Sequence, residues 1–124
     1  MADNKVFGDR GERLAERHLK RLGYRILERN YRTPVGELDI VAMDGGTLVF
    51  VEVKARRGAG FGAPEMSVNL HKRRQITKAA LVYLSKRRGA EVPCRFDVVG
   101  IRAAEGGETE LTVIKDAFEA AGRY

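Results

Sequence analysis

Apolar positions along this 124-residue chain repeat with two different periods. Over residues 9–22 the period is helical. At 100° per residue, Gly11, Ala15, His18, Leu19 and Leu22 fall on one stripe, and Gly23 is placed to end the helix. Residues 24–31 and 37–43 read as strands, and residues 48–55, LVFVEVKA, as a third. Residues 70–88 predict a long helix that turns Ile76, Ala79, Ala80, Tyr83 and Leu84 inward. Two more strands are expected at 95–101 and 110–114, parted by the turn Glu105-Gly106-Gly107, with a short helix or frayed tail at 116–124. The order α-β-β-β-α-β-β predicts an α/β fold. Its central mixed sheet of about five strands would be flanked by helices in a single domain over residues 1–124.

The third strand carries a charge problem. Its Val and Phe content suggests cover on both faces, yet Glu52 and Lys54 interrupt it on the same face as Leu48 and Phe50. Buried charges are costly unless paired or bound to a metal. A same-face ion pair at a solvated strand end is one solution; site chemistry is another. The turn Asp44-Gly45-Gly46-Thr47 favours the second. A two-residue loop at Gly45-Gly46 makes paired residue numbers sum to 91, placing Asp39 opposite Glu52 and Glu37 opposite Lys54. Directly opposed side chains have Cβ atoms roughly 4.5–5.5 Å apart. Two facing carboxylates repel, and a cation between them relieves the repulsion. An oxygen-rich pocket of this kind suits Mg²⁺ or Mn²⁺. Lys54, further along the same face, is placed to steady a water or a developing negative charge.

Asp39 followed by Glu52-x-Lys54 on the next strand resembles the PD-(D/E)xK nuclease core, with Glu37-Leu38-Asp39 standing for its first element. The wider pattern is similar to the bacterial YraN-like family. Its motifs recur here in order: Gly8-x-x-Gly11-Glu12-x-x-Ala15, Arg29-Asn30-Tyr31-Arg32, Gly36-Glu37-Leu38-Asp39, Phe50-Val51-Glu52-Val53-Lys54, Phe61-Gly62, Lys72-Arg73-Arg74-Gln75-Ile76 and Arg95-Phe96-Asp97-Val98. The resemblance implies a restriction-endonuclease-like core, similar to that of Holliday-junction resolvases. It also implies metal-dependent phosphodiester hydrolysis on DNA, including branched or otherwise structured DNA. Asp39, Glu52 and the backbone carbonyl of Val53 would hold Mg²⁺ or Mn²⁺, and Lys54 would assist. In that scheme Glu12 is a helix carboxylate beside the metal and Arg13 its basic neighbour. Read from the residues alone, Asp9-x-x-Glu12 is a capping box, and both roles can coexist.

Composition agrees with a polyanionic partner. There are 23 Lys and Arg against 17 Asp and Glu, a net charge of +6, with a pI near 9.8. No apolar run approaches the roughly 18–20 residues a membrane span needs, and the N-terminal residues lack a signal-peptide core. The cytoplasm is therefore the expected compartment. One Cys and two His leave too few ligands for a structural zinc, and Cys94 beside Phe96 reads as a core thiol. His18 reads as a core histidine. Asp97, an acid in an apolar strand, reads as half of a structural salt bridge, joined to other polar residues through Arg95 or a helix residue.

Further nucleic-acid contacts are expected around the site. Lys72, Arg73 and Arg74, with Gln75 beside them, crowd cations at a helix N-terminus, where the helix dipole prefers anions; a bound phosphate would resolve this. Arg56 and Arg57 open a glycine-rich segment bordering the site and are natural backbone ligands. Phe61 either stacks on an unpaired base or anchors its loop. A homodimer would suit symmetric junction cutting. A nucleic-acid-binding module that keeps the charges without cutting is the alternative reading.

Overall fold

The computed structural model describes residues 2–57, 68–89, 91–103 and 106–121, with side chains except at 2–8 and 57. Helix α1 (Ala2–Arg21) is followed by strands β1 (Arg25–Thr33), β2 (Gly36–Asp44) and β3 (Thr47–Arg57). Helix α2 (Leu70–Lys86) then leads to β4 (Cys94–Ala103) and β5 (Thr109–Phe118). The expected element order is present. The strands form one mixed sheet in chain order, antiparallel throughout except for the parallel β3–β4 pair bridged by α2. No helix among the described residues is long and apolar enough to cross a membrane.

The helices cover opposite faces. On one, Leu48, Phe50, Phe96 and Val98 pack with Ile76, Ala79 and Ala80 of α2. On the other, Ile40, Ala42, Val49, Val51, Val99 and Ile101 pack with Ala15 and Leu19 of α1. This double cover explains why β3 reads as nearly unbroken apolar sequence. Gly11 lets α1 approach the sheet closely: a Cβ there would lie 3.2 Å from Ala55 Cβ and 3.3 Å from Ile101 Cδ1. Gly36 does the same for the β1–β2 turn, since a Cβ would sit 2.8 Å from the Gln75 carbonyl oxygen of α2.

Four expectations are corrected. Helix α1 starts at Ala2, not Asp9, so Asp9 and Glu12 lie inside it and form no capping box. Leu22 is half-exposed. The helix ends one residue earlier in a Schellman arrangement, with Gly23 at φ +97° and the Tyr24 N–H on Leu19 O, and Tyr24 takes the buried position instead. Strand β5 runs on to Phe118, where a helix or frayed end was expected, because Phe118 stacks on Phe96 with centroids 4.9 Å apart. Cys94 is exposed at the start of β4, outside the core, and burial of part of its surface pushes its thiol pKa up.

Asp97 is fully buried and fully occupied. It accepts from Tyr24 Oη at 2.7 Å, Arg95 Nε at 2.9 Å and the Asp116 N–H at 3.0 Å, where the β4–β5 ladder breaks register. Arg95 continues to Asp44 at 2.6 Å. This network ties the α1–β1 connection, the β2–β3 hairpin, β4 and β5 together, and makes Arg95 the partner in the salt bridge expected for Asp97. Removing one member of a buried ion pair leaves the other charge uncompensated. Asp97→Ala should therefore lower the unfolding free energy by about 3–5 kcal/mol in a denaturant titration.

Candidate active site

The β2–β3 hairpin closes as the sequence implies, with a left-handed Gly45 at φ +60° and pairs from Asp44–Thr47 to Ile40–Val51. Each pair sums to 91. The ladder then stops one residue short of the expected Asp39–Glu52 pair. Here the Asp39 carboxylate takes the Val53 N–H at 2.8 Å, filling a place that a strand carbonyl would otherwise occupy. The pleat also breaks at this point. Leu38 joins the α2-side core and Ile40 the α1-side core, although residues two apart on a regular strand share a face. On β1, Asn30 lies between the pairs Arg29–Ile40 and Tyr31–Leu38 and adopts a left-handed φ of +50°.

Glu52 is 5% exposed and faces two ammonium groups, Lys54 Nζ at 3.6 Å and Lys72 Nζ at 3.8 Å. Burial, reinforced by the Asp39 charge, pushes its pKa up to about 7 despite both lysines. Asp39 is also raised, chiefly by burial, while the Val53 N–H, Lys72 and Lys54 pull it back. Glu12 reaches the same region from α1. Its pKa rises to about 7 through burial and the charges of Asp39, Asp9 and Glu37. With its amide nitrogen turned toward the acids, Asn30 donates to Glu12 Oε2 at 3.0 Å and to Glu37 Oε1 at 3.2 Å. Asp9, Glu12, Arg13, Glu16, Arg29, Asn30 and Asp39 line an open groove of about 140 Å³.

The structure thus brings Glu12, Asp39, Glu52, Lys54 and Lys72 to one end of the sheet. Arg13 stands exposed at the groove. Arg74 is exposed and Gln75 half-buried behind the Gly36 contact. Arg73 is turned to the protein itself: Nε donates to Val68 O at 2.7 Å, and the guanidinium lies 5.2 Å from the Phe118 ring centroid. That packing corrects its expected place among the phosphate ligands. The α2 N-terminus is capped by Asn69, whose side chain accepts from the Lys72 N–H at 2.9 Å. Arg56 donates to Ala55 O at 3.1 Å. The Arg57 side chain and Phe61 lie outside the described residues. Asn30 escaped the sequence reading because its role depends on a left-handed backbone; its place in the Arg29-Asn30-Tyr31-Arg32 motif was the available signal.

Among the described residues, no three His, Cys, Asp or Glu side chains gather closely enough to cage an ion. Asp39 and Glu52 nonetheless form a donor set of the kind Mg²⁺ uses, one or two carboxylates with water and substrate phosphate completing the octahedron. Their mutual repulsion is what a divalent ion would relieve.

Fold and site together define a small α/β protein whose five-stranded sheet carries, at one end, Glu12, Asp39 and Glu52 with raised pKa values beside two lysines. The chain belongs to the uncharacterised protein family UPF0102, whose model matches residues 11–101. This bears out the resemblance to YraN-like bacterial proteins. It is 51% identical over 120 residues to a UPF0102 protein of Geotalea uraniireducens (strain Rf4), covering 97% of this chain and 94% of that one. Against a UPF0102 protein of Geobacter sulfurreducens it is 51% identical over 118 residues, covering 95% and 92%. Against one of Syntrophus aciditrophicus it is 46% identical over 121 residues, covering 98% and 94%.

The raised pKa of Glu52 has a definite sign. The folded state holds this proton more tightly than the unfolded chain, so stability present below pH 4.5 is lost as pH rises through about 7. Glu52→Gln mimics the protonated form and escapes the loss. In chelator-treated protein, Glu52→Gln should gain stability relative to wild type across pH 4.5–7.5, measured as the difference in thermal midpoints.

Proposed function

We propose that this chain is a metal-dependent phosphodiesterase acting on DNA, with branched or structured DNA as the preferred form. The observation that carries this reading is the buried Glu52 beside the half-buried Asp39 at the point where β2 and β3 part, with Lys54 and Lys72 facing Glu52. A structural acid in this protein looks different. Asp97 is saturated by Arg95, Tyr24 and a backbone N–H, whereas Glu52 keeps a raised pKa beside two lysines. Perturbed acids clustered at a groove are the physical mark of a working site. The element order and the Asp39, Glu52-x-Lys54 pattern resemble those of the PD-(D/E)xK nucleases with their restriction-endonuclease-like core, which supports this reading.

In this reading Asp39, Glu52 and the Val53 carbonyl hold Mg²⁺ or Mn²⁺. When bound, such an ion supplies Lewis acidity toward the phosphate oxygens and relieves the repulsion between the two acids. Lys54 orients the attacking water and stabilises charge developing on the phosphoryl oxygens. Lys72, from α2, offers a second ammonium to the scissile phosphate. Glu12, held by Asn30, orders water at the groove side of the site. The cytoplasm, with DNA and Mg²⁺ together, is the compartment this chemistry implies, and two copies would serve symmetric cutting of a junction.

Purified protein with Mg²⁺ or Mn²⁺ should cut at least one of a panel of linear duplex, single-stranded and four-way DNA. Asp39→Ala and Glu52→Ala should abolish the cutting. Lys54→Ala should slow it by about 10²–10³-fold and Glu12→Gln by about 10–100-fold. Cleavage that persists in Asp39→Ala would mark the activity as a contaminant. Intact DNA binding with no cutting and no Mg²⁺ uptake in calorimetry would instead favour a non-catalytic binding module.

A further inference from the structure

Helix α1 carries Arg10, Arg13, Arg17 and Arg21, spaced three, four and four residues apart. At 100° per residue they fall within an arc of about 80°, centred about 150° from the buried stripe of Gly11, Ala15 and Leu19. All four are exposed, and none forms a hydrogen bond or ion pair among the described residues. Other cations nearby are spoken for: Lys20 pairs with Glu16 at 3.3 Å, and Arg29 pairs with the same carboxylate. Like charges at these spacings repel along a helix by about 0.2–0.5 kcal/mol per pair. The row therefore carries a repulsion that no ion pair among the described residues offsets.

We propose that this arginine row is a docking rail for the phosphate backbone of duplex DNA, leading into the groove beside Glu12 and Asp39. The proposal rests on the hydrolase reading for its partner, and adds a surface that none of the acids and lysines of the site supplies. Three features fix the kind of partner. The row contains only arginine, whose planar fork matches phosphate geometry. It holds no aromatic side chain, so it offers no platform for unpaired bases and suits a strand whose bases stay stacked in a duplex. From Arg10 to Arg21 the helix rises about 17 Å at 1.5 Å per residue, the axial rise of about five base pairs at 3.4 Å each. Arg13 joins row to site, since it also lines the groove with Glu12, Asn30 and Asp39.

The test measures binding without cutting, so that it stands apart from the hydrolase reading. A fluorescein-labelled 24-base-pair duplex is titrated with protein in chelator at several salt concentrations, and Kd is followed against salt. Arg17→Ala with Arg21→Ala should weaken binding about tenfold or more and make the slope of log K against log salt shallower by about 1.8, or 0.9 per lost phosphate contact. Lys86→Ala with Arg88→Ala removes the same charge from the end of α2, on the opposite face of the sheet, and should leave both quantities near wild type. Equal effects from the two pairs would reduce the row to net charge and overturn the proposal. So would a wild-type protein that fails to bind the duplex at 50 mM salt, or one that binds single strands more tightly than duplex through the same arginines. Duplex binding that depends on the row in a protein that never cuts would leave the rail standing and remove the hydrolase.

Discussion

The bond from the Val53 N–H to the Asp39 carboxylate is the contact on which this site depends. A strand edge demands a partner for every buried N–H, and an antiparallel neighbour normally provides a carbonyl. Here a side chain answers the demand, and the two strands are released from each other one residue beyond Ile40–Val51. The release brings an acid to the strand junction and leaves Glu52 without a partner on β2, while Val98 of β4 still pairs with it. Everything else at that end of the sheet follows: the coupling of the two acids, the approach of Lys72 from α2 and of Glu12 from α1.

Asp97 shows the same device used to the opposite end. It too takes a backbone N–H where a ladder breaks register, next to a left-handed residue, Asp116 at φ +53°. The difference is compensation. Arg95 and Tyr24 neutralise and saturate Asp97, so its burial is a clamp between strands. At the other end Glu52 faces ammonium groups at 3.6 and 3.8 Å, yet burial and the Asp39 charge still push its pKa up to about 7. One protein thus contains a buried carboxylate saturated by hydrogen bonds and another whose pKa stays raised beside two lysines.

Much of this was legible in the residues. The order of elements, the hairpin loop and its register followed from the apolar period and from Gly45-Gly46, because a two-residue loop leaves pairing no freedom. Asp39, Glu52 and Lys54 could be placed together for the same reason. What escaped depended on three-dimensional detail. The pairing rule carries a ladder on indefinitely and has no term for a side chain that replaces a carbonyl, so the stop at Ile40 was invisible. Arg73 looked like its neighbours Lys72 and Arg74 until Val68 O and the Phe118 ring claimed it. Asp9 imitated a cap because helix N-termini are read from short polar patterns that also occur inside helices.

Strand β1 forms one border of the sheet, where exposed backbone donors invite another chain to add a strand. Its ladder with β2 slips between Ile26 and Glu28, and Asn30 then turns left-handed. These two kinks lift Asn30 toward Glu12 and Glu37, and they also spoil the straight row of N–H and C=O groups that an incoming strand would need. Shaping the pocket and guarding the border against aggregation are therefore one feature. Straightening β1 to regular pairing would disturb the acids and open the sheet to its own copies in the same stroke.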